Sequence, residues 1–286
     1  MNEYGVLLIN KPKGLTSFDV VKKIRKLTNI RKVGHTGTLD PFAEGLLIVC
    51  IGKATKIIKY LINRNKTYEA KLKLGIKTDT ADITGKIIAH DNNYNINKAE
   101  ITDMIKYIKT LKKQVPPKYS AIKIKGKKAY ELARENKKIN LKPRDIKILK
   151  FFVKKVELPY IDYQVQVSKG TYIRTLSEQI ANKLGTIATT VNLIRTNIGE
   201  LDIKSAVKLE QLNVNNWKNY LSNISEILID WKVLILTSKQ LEEFKYGRSF
   251  SVKSNSGKVI LIDKNDNEVG LGLIKQGILY PERVFI

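Results

Sequence analysis

Residues 34–46, which read GHTGTLDPFAEGL, place a single aspartate, Asp40, among three glycines. Glycine permits positive φ and a close approach of the backbone. Pro41 fixes its own φ and biases Asp40 towards an extended conformation. Such a loop would aim one carboxylate rigidly. The residues alone are equally consistent with an ordinary Asx turn, in which Asp40 only caps local backbone.

Cysteine and histidine offer less chemistry. Cys50 lies in the apolar run at residues 45–51, and we interpret it as a small core residue rather than a nucleophile. One cysteine excludes a disulfide within the chain. The two histidines, His35 and His90, lack the Cys and His clustering of a zinc site, so we expect no metal.

The charge balance indicates a polyanionic partner. The chain carries 52 Lys and Arg against 27 Asp and Glu, a net charge of +25. Between Lys106 and Lys155 there are 18 basic and three acidic residues, with Tyr107, Tyr119 and Tyr130 among them. A solvated face normally mixes both signs, whereas a one-signed stretch with aromatics is typical of a phosphate-binding surface. An AT-biased genome, which inflates Lys, is the alternative source of the surplus.

Hydrophobic periodicity predicts the elements that must position these residues. Apolar alternation or continuous apolar runs predict strands at residues 5–10, 45–52, 67–74, 87–89, 119–124, 146–156, 163–167 and 187–198. Helical spacing predicts helices at residues 17–27, with Ser17 as N-cap, and at 53–62, 98–111, 129–134, 171–184 and 208–212. Short turns join more strands than helices. We therefore expect an α+β domain with a mixed, largely antiparallel central sheet and flanking helices.

A change in pattern near residue 230 predicts two domains, residues 1–230 and 231–286. The second has two short β-rich stretches, at 258–262 and 270–274, and a net charge of only +3. The main polyanion surface should therefore lie on the larger domain. The N-terminal residues do not resemble a signal peptide, and no run approaches the ~20 apolar residues of a membrane span. We expect a cytoplasmic protein that does not bind membranes.

The segment at residues 34–46 resembles the signature of the TruB family of pseudouridine synthases. Other stretches similar to motifs of that family follow in order over roughly residues 5–212, at residues 7–14, 66–68, 78–85, 115–121, 126–134, 168–175 and 193–199. Chance agreement of so many collinear motifs is negligible. The resemblance implies the pseudouridine synthase fold, with residues 231–286 similar to the small RNA-binding PUA domain.

The resemblance also implies a reaction and its catalytic residues. Asp40 occupies the position of the catalytic carboxylate, in a reaction that isomerises uridine to pseudouridine without a cofactor. Arg174 matches an arginine that pairs with this aspartate, and a guanidinium there would favour the charged carboxylate against desolvation. Tyr68 matches an active-site tyrosine, and Leu193 an apolar residue that lines the pocket. A phosphate contact for Arg174 and a core position for Tyr68 are the alternatives.

Other positions carry expected roles in binding. His35 matches a histidine that enters the RNA where flipped bases leave a gap, and a capped loop histidine is the alternative. We expect Lys11, Pro12 and Tyr172 to support substrate binding. Residues 16–28 and 106–128 correspond to elements that grip the RNA arm. Direct RNA contacts are expected from Tyr119, Lys123, Lys125, Lys127, Lys128 and Arg195.

The sequence thus predicts conversion of the T-loop uridine at position 55 of tRNA. The T-arm of tRNA is the expected partner, and we expect a monomer with no obligate protein partner. One alternative is a non-catalytic RNA-binding or RNA-folding factor on the same scaffold, against which the intact Asp40, Tyr68 and Arg174 argue. Another is a related enzyme that acts on ribosomal RNA in a guided complex, which the absence of long extensions disfavours.

Overall fold

The chain folds around one large sheet and a second, smaller sheet near its C-terminus. A computed structural model describes residues 4–124, 126–135, 137 and 139–286. In chain order its strands are β1 (Gly5–Lys11), β2 (Val33–His35), β3 (Glu44–Ile51), β4 (Lys66–Leu74), β5 (Ile76–Thr78), β6 (Ile87–His90), β7 (Lys113–Gln114), β8 (Lys123–Ile124), β9 (Lys127–Lys128), β10 (Arg144–Asp145), β11 (Ile148–Glu157), β12 (Tyr160–Val167), β13 (Ala188–Ile198), β14 (Leu201–Asp202), β15 (Val207–Lys208), β16 (Lys232–Ile235), β17 (Phe250–Ser251), β18 (Gly257–Ile262), β19 (Glu268–Lys275) and β20 (Ile278–Val284).

Most of the helices in the described ranges are short. The α-helices are α1 (Ser17–Thr28), α2 (Ile58–Leu61), α3 (Lys98–Thr110), α4 (Ala129–Arg134), α5 (Ile173–Lys183), α6 (Ile224–Ile227) and α7 (Ser238–Lys245). Short 3-10 helices lie at Gly52–Ile57, Ile203–Ser205, Leu209–Gln211 and Trp217–Tyr220. Within the part of the chain that the structure describes, no helix is both long and apolar enough to pass through a bilayer.

The large sheet has the strand order β11-β12-β4-β13-β3-β1-β15, with β14 paired to β13 and β2 paired to β3. Neighbouring strands are antiparallel except at β13–β3 and β1–β15. The parallel pairing of β13 with β3 is short, with Ile194 opposite Glu44 and Arg195 opposite Gly45. It joins two antiparallel halves of the sheet. The predicted fold class, α+β with a mixed and largely antiparallel sheet, is confirmed.

Alternation along the strands divides the core. On β1, Leu7 and Ile9 pack with α1, whereas Val6 and Leu8 belong to a separate apolar cluster. That second cluster also contains residues of α6 and of the C-terminal sheet. On the other half of the sheet, side chains of β4, β12 and β13 pack against α3 and α5. Helix α5 is thereby fixed over the strands that carry Tyr68 and Leu193.

Some elements differ from the sequence prediction. Helix α1 begins at Ser17, but its N-cap is Thr16, whose side chain accepts from the Asp19 amide. Residues 53–62 form a 3-10 turn followed by one α-helical turn rather than one helix. The strand predicted at 119–124 is reduced to β8. The Tyr119 carbonyl accepts from Arg174 instead of from a neighbouring strand.

The C-terminal residues form a sheet of order β16-β18-β19-β20-β17. It has its own apolar cluster, which includes Phe244, Leu261 and Leu279. Helix α7 and strand β20 were not predicted from the sequence. Leu271 of this sheet, and Phe285 directly after β20, join the cluster that contains Val6 and Leu8 of β1.

Candidate active site

Asp40 and Arg174 form an ion pair across 134 residues of sequence. Asp40 lies in the loop between β2 and β3, and Arg174 is the second residue of α5. The Arg174 Nε atom is 2.7 Å from Asp40 Oδ2, and Nη2 donates to Oδ1 at 3.1 Å. The side chain of Arg174 is 3% exposed and that of Asp40 is 31% exposed. Solvent therefore reaches the Asp40 carboxylate but not the Arg174 guanidinium.

Backbone carbonyls hold the guanidinium in place. Arg174 Nη1 donates to Thr80 O at 2.8 Å, and Nη2 donates to Tyr119 O at 2.9 Å. A second carboxylate lies behind it, because Asp82 Oδ2 is 3.5 Å from Nη1. Two carboxylates therefore flank one buried arginine, and only Asp40 is open to solvent.

Asp82 is a site residue to which the sequence analysis assigned no role. Its Oδ1 accepts from Thr80 Oγ1 at 3.0 Å, from Thr84 N at 3.0 Å and from Thr84 Oγ1 at 2.5 Å. The preceding residue, Ala81, has φ of 60°, a left-handed conformation that costs an L-residue about 1–2 kcal/mol. The motif at residues 78–85 was the available signal, but its approach to Arg174 depends on the tertiary fold.

Ser17 supports the loop directly in front of Asp40. Its Oγ accepts from Leu39 N at 2.8 Å and donates to Leu39 O at 3.3 Å. Both groups are buried. The prediction that Ser17 is the N-cap of α1 is wrong by one residue, because Thr16 supplies the cap. The Ser17 hydroxyl instead fixes the loop that carries Asp40.

Lys11 and Pro12 form a turn against the same loop. The Lys11 ammonium donates to Pro12 O and to Leu15 O, each at 2.8 Å. This closes the turn, so that Gly14 N donates to Pro41 O at 2.8 Å. Lys11 is fully buried. Lys11 and Pro12 thus lie in a turn that contacts the loop carrying Asp40.

Burial and the neighbouring charges have opposing effects on the pKa of Asp40. Burial raises the pKa of the Asp40 carboxyl above its ordinary value, Arg174 and Lys11 act in the opposite direction, and Asp82 adds to the rise. Burial and the charge of Arg195 lower the pKa of Lys11 to about 8. Asp40 is therefore a more basic carboxylate than an exposed aspartate, which suits a base or a nucleophile.

Tyr68 and Leu193 form an apolar wall beside the loop. They lie on the neighbouring strands β4 and β13 and belong to one buried cluster with Leu39 and Phe42. Leu39 directly precedes Asp40, and Phe42 follows it by two positions. The structure thus brings both predicted residues into the cluster from which the Asp40 loop emerges.

Tyr172 precedes the first residue of α5 and is half-buried. Its backbone is held by a buried glutamine, since Tyr172 N donates to Gln114 Oε1 at 2.8 Å and Gln114 Nε2 donates to Tyr172 O at 3.1 Å. Burial raises the pKa of the Tyr172 hydroxyl above its ordinary value. Gln114 was not recognised in the sequence, where an isolated glutamine has no distinguishing signal.

His35 ends β2 and is half-buried. Gly37 N donates to its Nδ1 at 3.2 Å, which assigns the proton of the neutral ring to Nε2. Burial lowers the pKa of His35, and the positive charge of Arg195 lowers it further. A neutral aromatic ring next to the loop that carries Asp40 can stack against a base.

The basic residues expected to bind RNA lie around β8 and β9. Lys123 and Lys127 are exposed, and Tyr119 is half-buried next to the Arg174 guanidinium. Lys125 and the side chain of Lys128 lie outside what the structure describes. The two exposed lysines are accessible to a phosphate backbone.

Arg195 has a different environment from the one expected. Predicted as an RNA contact, it is 1% exposed and cannot reach a phosphate on the surface in this conformation. Its Nε donates to Leu46 O at 2.8 Å, Nη2 to Gly37 O at 3.1 Å and Nη1 to Thr38 O at 3.4 Å. Arg195 lies inside the protein rather than on the predicted RNA-binding surface, because its side chain on β13 packs against the loop that carries Asp40.

Comparison with known proteins identifies the family of this chain. Residues 25–173 match the family model described as TruB family pseudouridylate synthase, N-terminal domain. The chain is 39% identical to tRNA pseudouridine synthase B of Clostridium tetani over 273 residues, 94% of each protein. It is 40% identical to the protein of the same name from Clostridium kluyveri over 288 residues, 99% of each. Among solved structures, the crystal structure of a Cbf5-Nop10-Gar1 complex shares the fold, with a TM-score of 0.72 and 24% identity over 99% of this chain and 85% of that one. The chain therefore belongs to the TruB family of pseudouridylate synthases.

Proposed function

We propose that this protein converts the uridine at position 55, in the T-loop of tRNA, to pseudouridine, with Asp40 as the catalytic carboxylate. The observation that carries the proposal is the Asp40–Arg174 pair, in which an accessible carboxylate is held by a buried guanidinium beside Tyr68 and Leu193. The relatives at 39% and 40% identity carry the name tRNA pseudouridine synthase B.

The reaction asks for one carboxylate and no external reagent. The bond from C1′ of the ribose to N1 of uracil breaks, the base rotates, and a bond from C1′ to C5 forms. C5 loses its proton to solvent and N1 gains one, so the atoms balance without a cofactor. Hydrolytic glycosidases use two carboxylates, one of them to protonate the leaving group. Here the base is retained, and Asp40 alone starts the cleavage as nucleophile or as base.

The surrounding side chains have distinct parts in this mechanism. Arg174 keeps Asp40 ionised and aimed, since a guanidinium next to a desolvated carboxylate favours its charged form. The Tyr68 ring and Leu193 enclose the uracil and exclude the water that would trap the intermediate as a hydrolysis product. The half-buried ring of Tyr172 is proposed to contact the ribose or the base.

A uridine inside a folded loop must leave the base stack before it reaches Asp40. In this proposal the ring of His35 fills the gap that the extruded base leaves. Lys123 and Lys127 bind the phosphates of the T-arm, and Lys125 and Lys128 are proposed to extend the same contact. Lys11 and Pro12 act through the loop that carries Asp40 rather than on the RNA.

The direct test is incubation of the protein with an unmodified tRNA transcript, followed by mapping of pseudouridine. We expect product at the T-loop uridine with wild-type protein. Asp40→Asn should form none while still binding the transcript, because the amide keeps the shape of the side chain but can act neither as nucleophile nor as base. Binding without product by the wild-type protein would instead identify a non-catalytic RNA-binding factor.

A further inference from the structure

Arg195 is a buried cation whose partners are neutral. It is 1% exposed, and its guanidinium donates to the carbonyls of Leu46, Gly37 and Thr38. No carboxylate of the described residues lies within ion-pair distance of it. A buried guanidinium that lacks an ionic partner is unfavourable compared with an apolar side chain of similar volume.

The surroundings increase that electrostatic cost. Burial lowers the pKa of Lys11 and of Lys66, and the positive charge of Arg195 is the second cause, so that each pKa falls to about 8. Burial also lowers the pKa of His35, and the charge of Arg195 lowers it further. Several cationic groups thus share one region of the interior. Stability alone does not account for an arginine at this place, whereas its hydrogen-bonding geometry does.

The three acceptors of Arg195 lie on both sides of Asp40. Gly37 and Thr38 precede the aspartate in the loop, and Leu46 follows it on β3. One rigid, planar donor group therefore spans the start and the end of the catalytic loop. Arg195 therefore holds the start and the end of the loop together through hydrogen bonds.

The backbone of Arg195 contacts the same loop. Arg195 pairs with Gly45 in the short parallel junction of β13 with β3. A Cβ added to Gly45 would lie 2.4 Å from Arg195 O and 2.7 Å from Arg195 N. The backbones of β3 and β13 are therefore in direct contact here. On its other side, Arg195 is opposite Tyr68 on β4. The residue thus connects the Asp40 loop with the strand that carries Tyr68.

We propose that Arg195 is a positioning residue, which fixes the Asp40 loop relative to the Tyr68 and Leu193 wall by binding three loop carbonyls, and which does not contact RNA. This inference rests on the function proposed above. It assigns Arg195 to the geometry of the chemical step rather than to substrate affinity. The two roles differ in the kinetic parameter that a substitution should change.

The test compares Arg195→Gln and Arg195→Lys with wild type in single-turnover pseudouridine formation at saturating tRNA and in tRNA binding. A loop displaced by about 1 Å can lower a rate about 100-fold. We expect Arg195→Gln to lose about that much in rate with its Kd for tRNA within about twofold of wild type. Arg195→Lys keeps the charge but replaces the planar fork by a single point donor, so its rate should fall between the two.

Two comparison variants separate the alternatives. Lys123→Ala removes an exposed lysine and should weaken binding and reduce its salt dependence by about one contact. Leu261→Ala creates a cavity in the C-terminal sheet, so it should lower the unfolding midpoint without changing the single-turnover rate. A weakened Kd for Arg195→Gln like that of Lys123→Ala, with a normal rate, would overturn the proposal.

A readout independent of activity is the amide hydrogen exchange of residues 36–40. Loss of the three carbonyl contacts should accelerate exchange there by at least tenfold in Arg195→Gln and leave Leu261→Ala like wild type. Unchanged exchange, or failure of both Arg195 variants to fold, would overturn the positioning role. Wild-type protein that makes no pseudouridine would refute the proposed function instead, while the exchange data would still decide the role of Arg195.

Discussion

At the scale of single residues, the site depends on a carboxylate that the fold makes hard to ionise. Asp40 lies against buried surface, with Asp82 on the far side of Arg174. The pKa of Asp40 is therefore raised by burial, although Arg174 opposes the rise. Reactive groups in such surroundings are commonly held at the expense of stability. The cost of Asp40 can be measured.

We predict that Asp40→Asn is more stable than wild type at neutral pH. A raised folded-state pKa means that the folded protein favours the protonated carboxyl, so ionisation of Asp40 lowers stability as the pH rises through the folded value. The advantage of the variant should shrink as the pH falls and vanish below about 4, the ordinary pKa of aspartate. Thermal unfolding of both proteins between pH 4 and 8 measures it.

Asp19→Asn is the control with the opposite sign. Hydrogen bonds from Thr16 lower the pKa of Asp19, which completes the capping box of α1. Its contribution to stability is present above the ordinary pKa and is lost as the pH falls through the lowered value. Asp19→Asn should therefore be less stable than wild type at neutral pH. An Asp40→Asn variant that loses stability in the same way would contradict the electrostatic interpretation of the site.

A second prediction at this scale concerns Asp82. Asp82→Asn removes the charge behind Arg174 and should lower the single-turnover rate about 10- to 100-fold, because the guanidinium can shift away from Asp40. Asp79→Asn in the same turn is the matched control. The Asp79 carboxylate accepts from Lys86 N at an exposed position and does not reach Arg174. Equal effects of the two substitutions would show that the turn, and not the charge of Asp82, supports the site.

At the scale of elements, the site occupies the junction where β13 joins β3. The pairing there is short and parallel, and antiparallel pairs lie on either side. The Asp40 loop leaves β2 and returns into β3 at this point. Helix α5 brings Arg174 to the loop from above the neighbouring strands. The geometry of the Asp40 loop is therefore set by how the two halves of the sheet meet.

Gly45 tests that junction. Gly45→Ala should strongly destabilise the protein and abolish turnover, because Gly45 has φ of 114° and its Cβ would lie 2.4 Å from the Arg195 carbonyl oxygen. Gly170→Ala is the control, since Gly170 has φ of 80° but no atom within 4 Å of an added Cβ. That variant should lose only the backbone term of about 1–2 kcal/mol. Equal unfolding midpoints for the two variants would exclude the steric contact as the cause.

At the scale of the whole molecule, the two sheets share apolar core. Val6 and Leu8 of the large sheet belong to one cluster with Leu271 and Phe285. Hydrogen bonds also hold the two sheets together. Tyr4 donates to Glu268 O at 2.7 Å, and the Glu268 carboxylate accepts from Ser225 N at 2.7 Å. A C-terminal part attached in this way cannot separate without exposing core.

We predict from this that the full chain unfolds in one cooperative transition. Phe285→Ala removes a side chain from the shared cluster, and Phe244→Ala removes one from the cluster internal to the C-terminal sheet. Each should lower the free energy of that single transition by about 3–5 kcal/mol. Calorimetry would contradict the prediction if Phe244→Ala produced two transitions and moved only the lower one.

The fold could be predicted well where local pattern and burial agree. Strand β4 alternates buried and half-buried residues along its whole length, and α1 has apolar residues at helical spacing. The prediction was poorest where tertiary contacts compete with local preference. Residues 119–124 carry strand-like side chains, yet the carbonyl of Tyr119 is used by Arg174 and only two residues remain in a strand.

The sequence by itself determined the chemistry that is possible: a single aspartate in a glycine-bracketed loop, its collinear motifs and a strongly basic surface. Side-chain identity and spacing are sufficient for this, because they specify which groups can react and which backbone conformations are open. Only the tertiary structure decided that Asp82 lies behind Arg174 and that Arg195 is buried under the loop. Those roles arise from contacts between segments more than 90 residues apart. Local sequence patterns do not specify which distant segments come into contact.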